Sequence, residues 1–210
     1  MSTETEDLIP TRWSLIARLK DWDDQESWRQ FFDTYWKLIY GVAIKSGLTH
    51  PEAQDVVQET VVSVSKNIKG FRADPAVGSF KSWLLNLTRW RITDQFRKRG
   101  REVHPDQADP GTDSAGTPFA GRVADPAGNA LDRIWEEEWD RHVIEAALER
   151  VKQKAGARHY QVFYLHAIKQ VPPPKVAETL GINVDQVYLI KHRLGKIFEE
   201  AIKAVETHTE

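Results

Sequence analysis

Cysteine is absent from the 210-residue chain, which excludes disulfides and cysteine-ligated zinc and fits a protein of the reducing cytoplasm. The seven histidines are scattered without an i, i+4 pair, so neither a metal site nor any other cofactor is expected. No apolar run approaches the length that crosses a bilayer, and the polar, acidic first residues do not form a signal peptide. These features predict a cytoplasmic protein with no membrane partner. A glycine-rich phosphate loop and a nucleophile motif are also missing, so the chain is not expected to be an enzyme. Nor is there an excess of either charge: 29 Lys and Arg stand against 31 Asp and Glu, a net charge of −2. Such a balance argues against indiscriminate coating of nucleic acid. Any affinity for DNA has to come from local basic faces. What is present suffices for real cores, with 40% hydrophobic residues and eight tryptophans.

The most patterned stretch is NVDQVYLIKHRLGKIF (183–198). Val187, Ile190, Leu194 and Ile197, with Ala201 beyond, recur at steps of three and four and share one helix face. Asn183 is a suitable N-cap, and Gln186 stands three residues on, as a capping box requires. Gln186, Tyr188, Leu189, Lys191, His192, Arg193 and Lys196 fall outside the apolar face. Upstream, residues 175–180 predict a short helix and Gly181 a tight turn. Short helix, glycine turn and capped helix with a basic outer face are the pattern of a helix-turn-helix. An αα-hairpin with a solvated basic face would give the same pattern.

Earlier in the chain the spacing predicts a short helix from Thr11, carrying Trp13, Leu15, Ile16 and Leu19. A second runs from about 27 to 46, with a stripe of Trp28, Phe31, Phe32, Tyr35, Leu38, Ile39, Val42 and Ala43. A third opens at Thr49, with Glu52 at capping-box spacing and Pro51 in the first turn. Its apolar face is Ala53, Val56, Val57, Thr60, Val61, Val64 and Ile68; Asp55, Gln58 and Glu59 lie outside it. Residues 70–78 read as a loop. A fourth helix over 79–99 has Phe80, Trp83, Leu84, Leu87, Ile92 and Phe96 as its apolar residues. It grows basic through Arg89, Arg91, Arg97, Lys98 and Arg99. Part of that run can be ordinary capping of a helix C-terminus. Residues 101–130 are rich in Asp, Pro, Gly, Ala, Ser and Thr, the composition of a linker. Helical patterning resumes at Leu131, with Trp135 and Trp139, and again over 160–168. The expectation is an all-α protein: a first domain at 1–100, a flexible linker at 101–130, and a second domain at 131–210 carrying the helix-turn-helix.

Three motifs taken in order, DVVQET (55–60), GSFKSWLLNLTRWRITDQFRKR (78–99) and VAETLGINVDQVYLIKHRL (176–194), resemble the extracytoplasmic-function group of bacterial RNA polymerase sigma factors. The resemblance covers nearly the whole chain, with residues 101–130 where that group has its linker. TRWSLIARL (11–19) and IWEEEWDRH (134–142) resemble a subgroup found in planctomycete-like bacteria. The resemblance implies a first domain, sigma region 2, that binds core RNA polymerase through Asp55, Gln58 and Glu59. The same domain would bind the promoter minus-ten element through Phe71, Arg72, Ser79, Lys81, Arg89, Trp90, Arg91, Arg97, Lys98 and Arg99. The second domain, region 4, would read the minus-thirty-five element through Gln186, Tyr188, Leu189, Lys191, His192, Arg193 and Lys196. An anti-sigma factor or other regulator is a further implied partner.

Melting a promoter leaves bases out of their stack, and aromatic side chains return roughly 1–3 kcal/mol per stacked base. Helical phase assigns Phe80 and Trp83 to the core rather than to bases. Trp90 departs from the group, where many members carry Asn. The alternative is a free-standing helix-turn-helix regulator whose first half senses a ligand or dimerises. The basic run at 89–99 and the lack of a ligand-pocket signature count against it.

Overall fold

A computed structural model describes residues 13–71, 79–103 and 126–206. Helices and short connections make up all of this, with no strand among the described residues. The helices are α1 (Trp13–Arg18), α2 (Gln25–Lys45), α3 (His50–Asn67), α4 (Phe80–Val103), α5 (Pro126–Lys154), α6 (Ala157–Phe163), α7 (Pro173–Leu180) and α8 (Val184–Glu206). A 3-10 turn, Ile68–Gly70, follows α3, and a π-helical turn, Tyr164–Ile168, continues α6. The all-α expectation holds. Of the expected linker, 104–125 lie outside the described residues, whereas 101–103 complete α4 and 126–130 open α5.

Two compact units divide the chain. One is Ile16–Asp140; the other is Arg141–Glu210 together with the residues before Ile16. The division thus falls inside α5, after Asp140, and not at the expected residue 131. The reason is hydrophobic. Trp135 and Trp139 are 0% and 3% exposed, and the Trp139 ring stacks on Tyr35 of α2 at 6.5 Å. Tyr35 in turn meets Phe31 at 5.0 Å and Phe80 of α4 at 5.5 Å. Residues 131–139 therefore complete the first core.

Local signals start the helices of this unit. The Asp24 carboxylate accepts the backbone N–H of Ser27 at 3.0 Å and its hydroxyl at 2.6 Å, capping α2. Those two bonds hold the Asp24 carboxyl below its usual range. At α3 the backbone N–H and hydroxyl of Thr49 both donate to Glu52, each at 2.7 Å. Phe31, Tyr35, Leu38, Ile39, Val42 and Ala43 of α2 are buried, as are Ala53, Val56, Val57, Thr60 and Val64 of α3. Two residues depart from the expected stripes: Phe32 is 42% exposed and Phe96 39%. Each follows a buried neighbour, Phe31 and Gln95, and one residue is a turn of about 100° round a helix, off the face.

Gly41 has a packing role. Glu138 is 5% exposed, pairs with Lys45 at 2.8 Å, and rests on the backbone of α2. A Cβ placed on Gly41 would lie 2.5 Å from Glu138 Oε2.

In the unit from Arg141 onward, Val143, Ala147 and Val151 of α5 are buried. Phe163 and Leu194 pack with Val151, and Val162, Val176, Ala177 and Val187 form the adjoining cluster. Gly181 follows α7 at φ 59°, where glycine avoids a steric penalty, so α8 can turn sharply away. Pro173 and Pro174 sit in the first turn of α7, where an N–H has no helical partner to lose.

Removing a helix-interior glycine ordinarily stabilises by about 0.5–1 kcal/mol. Gly41→Ala is expected to destabilise the chain, because the new methyl meets Glu138. In a Glu138→Ala background the same change should stabilise. Urea unfolding of the four proteins in this cycle checks the reversal of sign, and the same sign in both backgrounds would refute the contact.

Candidate polymerase and nucleic-acid interface

The outer face of α3 presents Asp55 and Gln58 to solvent. Glu59, one step round the helix, is half-buried and tied to α4. Its carboxylate accepts Lys98 Nζ at 2.8 Å and lies 3.7 Å from Arg91. The acidic and amide groups are thus not equivalent. Two are open, and the third is shared with the basic helix behind it.

Most of the cations of α4 have carboxylate partners. The Arg99 guanidinium donates to both carboxylate oxygens of Glu52, with Nε at 2.9 Å from Oε1. That pairing, together with the Thr49 bonds, lowers the Glu52 pKa to about 2 and raises that of Arg99. Arg91 donates through Nε and Nη2 to Ser63 Oγ at 2.9 and 2.8 Å and lies 3.4 Å from Asp94. Its guanidinium also lies 5.2 Å from the ring centroid of Trp90. Trp90 is 36% exposed, so an aromatic and a cation lie together at the surface of α4. Arg97 is exposed and, among the described residues, lies 3.7 Å from Asp94. Lys81 pairs with Glu136 at 2.5 Å, and Arg89 pairs with Asp132; both carboxylates belong to α5.

Phe71 is placed otherwise than its assignment to bases would require. It is 7% exposed and packs against Phe80 at 5.8 Å and Trp83 at 4.8 Å, inside the aromatic core. Phe80 is fully buried, as helical phase indicated. Ser79 opens the fourth helix, its hydroxyl accepting the N–H of Ser82 at 3.2 Å. Arg72 lies outside the described residues. Sequence reasoning missed the carboxylates that hold these cations. Arg91 with Asp94 is an i, i+3 pair and legible in the chain, whereas Glu52, Asp132 and Glu136 come from other helices and carry no local signal.

On α8 the two exposed large apolar residues lie within the first two turns. Leu189 is 71% exposed, and Tyr188, 54% exposed, sets its ring edge-on to His166 at 6.0 Å. Lys191, His192, Arg193 and Lys196 are exposed as well. Gln186 is engaged: its side-chain oxygen accepts the backbone N–H of Asn183 at 3.2 Å, while Asn183 Oδ1 accepts the N–H of Asp185 at 3.1 Å. Arg158 donates to the carbonyl of Leu180 at 2.7 Å and so closes the end of α7 against α6. Together these bonds fix the turn between α7 and α8, and an exposed apolar and basic surface projects from it.

A pH dependence follows from the Glu52 pairing. Its pKa in the folded chain is below the unfolded value, so its contribution to stability is full above about pH 4.5. That contribution fades as pH falls toward about 2. The stability gap between wild type and Glu52→Gln should accordingly be wide at pH 7 and narrower at pH 3. Urea midpoints at the two values check this, and an equal gap at both would contradict it.

Residues 31–102, from α2 through α4, match the Sigma-70 region 2 family. ECF RNA polymerase sigma factor SigE of Mycolicibacterium smegmatis is 33% identical over 85 residues, 40% of this chain and 29% of that protein. ECF RNA polymerase sigma factor RpoE of Cereibacter sphaeroides is 26% identical over 110 residues, 47% of this chain and 60% of its own length. The chain therefore spans between 29% and 60% of these curated relatives. Among solved structures, the sigma factor RpoE from Bartonella quintana, crystallised with the anti-sigma factor NepR, covers 85% of this chain at 18% identity. Its TM-score is 0.33, too loose a superposition to carry structural detail. Residues 31–102 thus carry the Sigma-70 region 2 pattern, and the sequence relatives matched are extracytoplasmic-function sigma factors.

Proposed function

We propose that this chain binds core RNA polymerase and directs it to promoters, recognising two DNA elements and helping to open the duplex. The observation that carries this reading is the presence on one chain of a Sigma-70 region 2 domain and of the α7–Gly181–α8 turn with its exposed basic face. In this reading Asp55 and Gln58 meet a basic surface of the polymerase, with Glu59 contributing as far as its bonds to Lys98 and Arg91 allow. Trp90 is an exposed aromatic on α4 available for strand capture, and Arg97 an exposed cation available to phosphate. Arg91 positions Trp90, and Arg99 braces α4 against α3. Phe71 supports the core beneath them. On α8, Tyr188 and Leu189 face base edges, and Lys191, His192, Arg193 and Lys196 divide between bases and phosphates. A regulator that covers these surfaces, such as an anti-sigma factor, is a further expected partner.

Capture of core polymerase by the tagged chain, followed by promoter-specific transcription, tests the assignment. Asp55→Ala with Gln58→Ala should leave folding within about 0.5 kcal/mol, as for surface changes generally, and weaken assembly. Normal assembly by the folded double variant would remove the polymerase assignment. On the DNA side, selection from a randomised minus-thirty-five library checks the reading face. Leu189→Ala should change the preferred bases, and Lys191→Ala should weaken all sequences alike. An unaltered preference with reduced stability would make Leu189 structural.

A further inference from the structure

Lys81 and Arg89 lie two helical turns apart on α4, and both are met by the first half of α5. Glu136 holds Lys81 at 2.5 Å, and Asp132 holds Arg89. These two acids are themselves one turn apart, so a single face of α5 carries both. The pairing is anchored, because Trp135 and Trp139, between and beside the acids, are buried in the core of this unit. Lys81 is further confined, with its Nζ 5.3 Å from the Trp139 ring centroid and its side chain only 19% exposed. Next door, Glu138 and Glu137 hold Lys45 of α2 at 2.8 and 3.3 Å. An acidic ridge thus lies along the cations of the first unit.

We propose that this ridge is an intramolecular competitor for DNA: Asp132 and Glu136 take the positions of two backbone phosphates on Lys81 and Arg89, and they set a threshold that DNA has to overcome. The proposal rests on the reading of α4 as a DNA-binding helix. Phosphate and carboxylate are both anionic oxygen acceptors for Lys and Arg, so only one of them can satisfy either cation at a time. While the acids are engaged, DNA that displaces them leaves two carboxylates needing counter-ions. This offsets the counter-ion release that ordinarily drives binding.

The test uses the full chain and a fluorescein-labelled single-stranded DNA of mixed sequence, with affinity read by anisotropy over a range of salt. Asp132→Asn with Glu136→Gln should bind about three- to tenfold tighter, the range expected when two exposed ion pairs cease to compete. Its plot of log affinity against log salt should steepen by about 1.4, the share of two phosphates on a single strand. Glu26→Gln with Asp33→Asn removes the same charge from exposed positions of α2 that make no ion pair with Lys81 or Arg89, and should change affinity less than about twofold. Adding Lys81→Gln and Arg89→Gln to the ridge variant should abolish its gain. A ridge variant no tighter than the control, with the cation changes still weakening binding, would overturn the competitor while leaving α4 as a DNA helix. If the cation changes have no effect in either background, the DNA assignment of Lys81 and Arg89 fails, and the competitor with it.

Discussion

Seating of Trp135 and Trp139 against Tyr35 is the interaction on which the first unit depends. Truncating a buried residue of this size typically costs about 3–5 kcal/mol, whereas an exposed ion pair contributes about 0.2–1 kcal/mol. The rings therefore hold the start of α5 in place, and the charges around them determine what that helix covers. Gly41 belongs to the same arrangement, since only a residue without a side chain leaves room for the Glu138 carboxylate over α2. Apolar burial fixes position, and acid–base pairing on top of it selects which cations stay available.

Cations on α4 are consequently graded. Arg99 is consumed by Glu52, Arg91 is fixed by Ser63 and Asp94, and Lys98 leans on Glu59. Arg97 alone among them keeps its closest carboxylate at 3.7 Å on its own helix. A near-neutral chain can keep a local basic face on these terms, because each basic residue is either braced by an acid or left open. Glu59 links the two helices, as it sits between the open α3 face and the α4 cations. Whatever draws on Glu59 from outside would loosen Lys98 and Arg91.

Much of this was legible in the chain. Periodicity located the helices, and Asn183 with Gln186 and Thr49 with Glu52 marked their starts. The burial of Phe80 followed from helical phase. Composition misplaced the boundary after the linker: Trp135 and Trp139 read as the opening of a second domain, because nothing local says which core a tryptophan will join. Phe71 was misjudged for a related reason. It stands in a glycine-bounded loop in sequence, yet rings from α4 close over it in space. The ion-pair partners of Arg89, Arg99 and Lys81 were invisible, since such pairs join residues more than forty positions apart. The exposed faces of α3 and α8 were the easier part, because a helix that buries one stripe necessarily offers the other.

Hydrogen exchange of the full chain, measured alone, with core RNA polymerase, and with polymerase and promoter DNA together, tests the central claim most directly. Polymerase alone is expected to slow exchange across residues 52–60 of α3. Promoter DNA added to that complex should then slow it across residues 184–193 of α8. Unchanged exchange in α3 with polymerase, alongside protection of α8 by duplex DNA in its absence, would contradict a sigma factor and describe a free-standing DNA-binding regulator.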